Sequence, residues 1–406
     1  MEDNIIKLQR EVRLFWIAII AVTLFVQVGA ISSDVLIPYL RMPVVAKYLI
    51  LVSLFAVLII INHRLVVPKQ VHVLGWIFFI EIFSEILRLG NAYDLNVEVR
   101  YIFTVCISWL ALIIALQPII KDTINITRNA LTVMMILVVV LTVITFLNIY
   151  LRLNDFWGLK DQLQLAIGGS NFIECWIIML TAFCVYSCNN SRNAYILFFI
   201  GFIGALFTRS KVAALIWAVW FLIYFIKHID FNIKSLVEIA FIIIGLWIGY
   251  SLLNRIQFFD YSINTLNELF SNDSGSRVSA FNGRIELYKK TWNLFNKNDL
   301  TFFFGTGMSY SSINNGYAHN YFLQILASQG IIGMFLVIVR YAIIISNLIR
   351  NKKDLFSRAS LASVVMVFIN SMYEPCIGEF CFNMIYWFII GIGLARCYED
   401  ILDTTE

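Results

Sequence analysis

Residues 283–333 read GRIELYKKTWNLFNKNDLTFFFGTGMSYSSINNGYAHNYFLQILASQGIIG. This stretch decides the fold because it closes the one long hydrophilic interruption, 254–319, in a chain that is otherwise a series of apolar runs. It opens on a helical pattern led by Arg284. It then passes a Gly305-Thr306-Gly307 turn and reaches His319 just ahead of a second helix. The surroundings set the solvent. The chain is 60% hydrophobic and only 14% charged, where soluble domains run near ~25% charged. A soluble core could not hide that much apolar surface, so the bilayer takes its place. The net charge of +4 is small and is distributed loop by loop. Such basic residues report topology and argue against a nucleic-acid partner.

Taken in order, Lys7, Arg10 and Arg13 place the N-terminus in the cytoplasm, ahead of an uncleaved first helix over 14–31. Alternating Lys/Arg-rich and Lys/Arg-poor loops then carry the chain through about twelve crossings to a cytoplasmic C-terminus. Arg350, Lys352, Lys353 and Arg358 are the strongest inside signal. The expected fold is an all-α polytopic membrane protein. Helices one to nine occupy 1–253, an extracytoplasmic segment with amphipathic helices 254–330, and helices ten to twelve with the cytoplasmic tail 331–406. Five of the seven cysteines lie in or beside apolar runs; Cys376 and Cys381 share an outside loop and are candidates for a disulfide.

Several charges stand out against this background. In 284–295, Ile285, Tyr288, Trp292 and Phe295 recur at helical spacing over polar Lys289, Lys290 and Asn293, which predicts an interfacial helix. An Arg in the first turn opposes the helix dipole, so Arg284 does not serve helix stability; a helix N-terminus with a guanidinium makes an anion site. Asn320 is the expected N-cap of a helix over 321–329, and Gly330 its end. His319 reads either as a structural hydrogen-bonding residue or as a functional one beside the membrane surface. Arg209 and Lys211 lie on a short outside hairpin that should be poor in cations, which asks for an anionic partner. Glu81, Glu85 and Arg88 share one face of helix three. There they either pair or face a polar cavity. Glu174, Glu374 and Glu379 are weaker candidates, and Arg340 is expected to snorkel inward.

Gly283-Arg284 heading an amphipathic helix, the Gly305-x-Gly307 turn, His319-Asn320-Tyr321-x-Leu323 and Gly330-Ile331-Ile332-Gly333 together resemble the O-antigen ligase and polymerase family. Thr208-Arg209-Ser210 is similar to that family's Ser-Arg hairpin. Gly169-Ser170-Asn171 is similar to its Asn-rich helix start, without the usual Asn-Pro-Asn. The resemblance implies a GT-C-like glycosyltransferase in the bacterial cytoplasmic membrane, facing outward. Its donor would be an undecaprenyl-diphosphate-linked oligosaccharide, used without metal or other cofactor. Its partners would be membrane lipid and a polysaccharide chain-length regulator. It assigns Arg209 and Arg284 to the diphosphate, with Lys211 and Arg277 in support. His319 would orient or deprotonate the acceptor hydroxyl, or bind phosphate. Glu85, Arg88, Asn320 and Tyr321 are further substrate-binding candidates. Within the family the expectation is a repeat-unit polymerase, with a ligase to lipid A core as the alternative. A lipid-linked-glycan flippase is the non-enzyme rival, although all five prolines fall at helix ends or in loops and not in mid-helix breaks.

Overall fold

The structure is a computed structural model, and it describes residues 2–24, 44–62, 65, 67–153, 162–210, 216–217, 219–220, 284–314, 316–374 and 376–397. Lys211 and Arg277 lie outside the described residues, as does most of 211–283. The described part is almost entirely helical. Its first half contains α1 (Glu2–Leu24), α2 (Val44–Asn62), α3 (Lys69–Arg88), α4 (Leu95–Ala115), α5 (Pro118–Asp122) and α6 (Ile124–Leu153). A two-stranded antiparallel hairpin follows, β1 (Gln164–Leu165) and β2 (Gly168–Gly169), and leads directly into α7 (Ser170–Tyr186) and α8 (Ser191–Thr208). The second half contains α9 (Arg284–Phe295), α10 (Asp299–Phe304), α11 (Tyr310–Asn314), α12 (Tyr321–Arg350), α13 (Leu355–Ser371) and α14 (Phe380–Cys397).

Among the described residues, five helices are long and apolar enough to cross a membrane: α4, α6, α8, α12 and α14. Leu49–Ile60 of α2 and the whole of α7 and α13 are shorter apolar helices. Large side chains such as Leu49, Trp76, Leu87 and Phe335 are more than 60% exposed. A belt of that kind would be a liability in water and is ordinary against lipid.

α14 is the hub. Every residue from Phe380 to Ala395 is buried, and the helix packs against α4, α13, α12 and α7. Trp387 meets Phe78 of α3 edge-on at 4.9 Å, and Phe388 meets Trp16 of α1 at 5.2 Å. Serines add polar contacts between apolar helices. Ser360 Oγ donates to Ile389 O at 2.6 Å, and Ser363 Oγ donates to Met179 O at 3.0 Å.

α12 bends at Gly330, whose φ of 68° and ψ of −166° break the helical ladder. The break strands the carbonyls of Ala327 and Ser328. The 305–307 turn answers them: Thr306 N donates to Ala327 O and Gly307 N to Ser328 O, both at 2.8 Å. Gly305 also sits at positive φ, 73°. A Cβ on Gly305 would run into Ser328, and one on Gly330 into Phe303 O. The two glycines thus let α10 dock against the kink, which is why both occur in the quoted stretch.

Two expectations change. Arg340 does not snorkel; it is 3% exposed, because Glu81 lies 2.6 Å from it inside the helix bundle. Cys376 and Cys381 are both buried and form no disulfide. α9 turns Thr291, Leu294 and Phe295 to the protein and Ile285 and Trp292 outward, the latter as the reading of an interfacial helix has it.

Candidate functional site

Three helices begin around one carboxylate. Glu374 lies in the loop after α13 and is largely buried. From the start of α7, Asn171 Nδ2 donates to its Oε2 at 2.9 Å. From the start of α9, Arg284 Nη2 stands 3.6 Å from the same oxygen. Just ahead of α12, His319 Nδ1 lies 3.1 Å from Oε1 and 3.2 Å from Oε2. Each helix N-terminus carries unsatisfied N–H groups and a partial positive charge. The corner therefore favours anions, and Glu374 is the anion the chain itself supplies.

Local sequence explains how each side chain arrives. Asn320 caps α12 by accepting from Leu323 N at 3.0 Å, and its Nδ2 donates to Met372 O at 3.0 Å. The cap forces a sharp approach, and His319 takes it up at φ 49°, a left-handed conformation that is uncommon outside Gly and somewhat less so for His. Arg284 Nη1 donates to Tyr373 O at 2.9 Å, which fixes the guanidinium against the Glu374 loop. Tyr288, one turn along α9, is electrostatically coupled to Arg284 and Glu374. Burial raises its phenol's pKa, with Arg284 opposing the rise and Glu374 adding to it.

Arg209 ends α8 at φ 54°, in the left-handed position typical of a helix C-terminus, and is buried. A cation there also suits the negative end of the helix dipole. Its corner is tied to Glu374 through two neighbours. Ser170 Oγ donates to Thr208 O, and adjacent Asn171 holds Glu374. The structure thus gathers Arg284, His319 and Asn320 around Glu374 and joins the Arg209 corner to them.

Glu85, Arg88 and Tyr321 belong to a different cluster. Arg88 Nη1 pairs with Glu85 Oε1 at 2.8 Å and also donates to Ser328 O at 3.2 Å; its Nη2 donates to Phe304 O. Arg88 therefore closes the helix-end carbonyls left by the Gly330 kink and by α10. Deeper in the bundle, Glu81 accepts from Arg340, from Tyr101 Oη at 2.5 Å and from Gln329 Nε2 at 3.2 Å. Tyr321 is buried with them around a small gap shared by Glu81, Tyr101 and Arg340.

One participant was underrated by the sequence: Glu374 stood only among weaker candidates, yet Asn171, Arg284 and His319 all meet it. The available signal was the outside loop itself, which carries two acids, Glu374 and Glu379, within a few residues. Among the described residues, no group of three or more His, Cys, Asp or Glu side chains gathers as metal ligands would.

Residues 177–338 match the family model described as O-antigen ligase. The match contains Arg209, Arg284, His319 and Asn320 and stops short of Glu374. No curated protein matches the chain. The stretch is an O-antigen ligase-like domain, as its motifs suggested. Outside that stretch as well as within it, the described helices include five that are long and apolar enough to cross a membrane.

Proposed function

We propose, with the O-antigen ligase-like domain at 177–338 as the premise, that the chain is a glycosyltransferase that polymerises oligosaccharide repeat units. The donor is a growing glycan on undecaprenyl diphosphate, and the acceptor is a sugar hydroxyl of the next lipid-linked unit. Transfer takes place at the outer face of the cytoplasmic membrane and uses no metal. The observation that carries this reading is the His319–Glu374 contact at 3.1 Å, beside Arg284 and three helix N-termini.

The chemistry follows from that arrangement. Glu374 accepts from His319 Nδ1–H and so selects the tautomer whose Nε2 is a base. Nε2 takes the proton of the acceptor hydroxyl as its oxygen bonds to the donor's anomeric carbon. The bond from that carbon to the diphosphate oxygen breaks, and the leaving diphosphate keeps the electron pair. Arg284, Arg209 and the helix N-termini stabilise the charge that develops there. The imidazolium formed at His319 is balanced by Glu374, as in other carboxylate–histidine pairs. Lys211 and Arg277 add cations to the same proposal.

The test uses purified protein in liposomes with lipid-linked repeat units and a chelator present. The expected product is a ladder of polymer that disappears in His319→Ala and Arg284→Ala. Glycan transfer only to added lipid A core would make the protein a ligase. Movement of the glycolipid across the bilayer with no new glycosidic bond would reject the enzyme altogether.

A further inference from the structure

The Arg284–Glu374 corner carries two tyrosines that the transfer chemistry leaves unused. Tyr288 follows Arg284 by four residues on α9, so the two side chains share one face of the helix. Tyr373 directly precedes Glu374, and its carbonyl accepts from Arg284 Nη1 at 2.9 Å. The two phenols are near enough to interact electrostatically, and Tyr288 interacts in the same way with Arg284 and Glu374. Tyr288 is half-buried and Tyr373 is 38% exposed. Among the described residues neither hydroxyl makes a hydrogen bond and neither ring stacks on another.

Tyrosines at a membrane surface usually mark the headgroup belt, where an apolar ring with a polar tip suits the boundary. These two stand against a cation and a carboxylate that already hold the transfer corner. Inside the bundle, rings are paired, as Tyr341 is with Phe368 at 5.6 Å and Phe382 with Tyr386 at 5.8 Å. An aromatic face left open beside the transfer corner has a specific use. It is the negative side of the ring's quadrupole, and it attracts the polarised C–H groups on the flat side of a pyranose. The hydroxyl at the ring's edge can exchange hydrogen bonds with the sugar's own hydroxyls. Position decides which sugar. With the donor's diphosphate on Arg284 and the acceptor hydroxyl on His319, the anomeric carbon lies between them, because Glu374 holds both side chains within 3.6 Å. The sugar that carries this carbon lies beside Arg284, where the two open rings are.

We propose that Tyr288 and Tyr373 form the subsite for the first sugar of the donor, the residue bonded to the diphosphate, and select a pyranose with an open apolar face. Both rings contact that sugar and hold its anomeric carbon toward His319. This subsite rests on the proposed function, which places the diphosphate on Arg284.

The experiment uses the full-length protein in lipid nanodiscs and isothermal titration calorimetry, with empty nanodiscs as the blank. The probes are farnesyl diphosphate alone and farnesyl diphosphate bearing one hexose, with glucose, galactose and N-acetylglucosamine offered in turn. The readout is the ratio of the two dissociation constants, which is the gain the sugar brings. In the unmutated protein at least one hexose should tighten binding about tenfold, from two aromatic contacts of about threefold each. Tyr288→Ala and Tyr373→Ala should each cut that gain about threefold and leave farnesyl diphosphate itself unchanged. Tyr288→Phe, which keeps the ring, should retain most of the gain. Arg284→Ala should weaken both probes. No gain from any hexose in the unmutated protein overturns the proposal, as does a full gain in either Tyr→Ala variant. Equal loss of both probes in the tyrosine variants also overturns it, since the rings would then only support Arg284. Undiminished binding of both probes in Arg284→Ala would sink the diphosphate site of the proposed function. The subsite would still stand if the gain fell in both tyrosine variants.

Discussion

Two polar clusters use α12 in opposite ways. At its start, His319 is 33% and Arg284 19% exposed around Glu374 at 8%. Midway along it, Arg340 and Glu81 are 4% and 6% exposed. The residue types are nearly the same, but the settings are not. The first cluster is built where helices begin and chain direction changes, so backbone dipoles and loop carbonyls hold the charges and leave them reachable. The second is built between helix interiors, where each charge is held by a side chain from another helix. Phe78 and Trp387 also stack near the Arg340 guanidinium, at 5.2 and 5.3 Å. Reachable charges at helix ends can meet a substrate, whereas sealed charges between helices can only hold the bundle together.

That contrast can be broken by mutation. The largest effect should come from His319→Ala or Arg284→Ala. Each should lower glycan transfer by roughly 10²–10⁴-fold or more, read as polymer formed per unit time, with the thermal midpoint in detergent nearly unchanged. A large drop in midpoint would mean these residues hold the fold, as the second cluster does. Next comes Arg340→Met, which strands Glu81 and should cost about 3–5 kcal/mol of stability. Adding Glu81→Gln should recover much of it in thermal unfolding; no recovery would show that the ion pair is not what Arg340 supplies. Glu374→Gln should keep the imidazole in place yet cut the transfer rate about 10²-fold, since it removes the charge that balances the imidazolium. A rate equal to the unmutated protein's would confine Glu374 to a structural role. The smallest effect is expected for Gly330→Ala, which places a Cβ against Phe303 O at positive φ and should destabilise by roughly 1–3 kcal/mol. A neutral result would mean α10 can shift away from the kink at little cost.

Much of the candidate site was legible because it rests on local rules. Asn320 as a cap, Gly330 as a helix end, and Arg284 at a helix start each follow from backbone hydrogen bonding over three or four residues. On α9 the same rules held only in part. Helical spacing identified one apolar stripe for an interfacial helix, and Ile285 and Trp292 do turn outward, but Phe295 from the same stripe turns into the protein. In a bilayer, an apolar residue finds an apolar environment on either side, so periodicity alone cannot tell the core from the lipid. Arg340 failed for a related reason. Snorkelling is the default for a lone cation, and only a partner elsewhere in the chain overrides it.

Composition and charge pattern by themselves determined that this is a helical membrane protein, and short motifs determined which helix ends carry cations and an imidazole. The tertiary structure decided which of those charges meet. His319 and Glu374 are 55 residues apart, and Arg340 and Glu81 are 259 apart. Contacts at that separation leave no periodic trace in a sequence, because they arise from how finished helices pack. Local hydrogen bonding writes helices into the chain one turn at a time, but which carboxylate reaches which cation is settled only when the bundle closes.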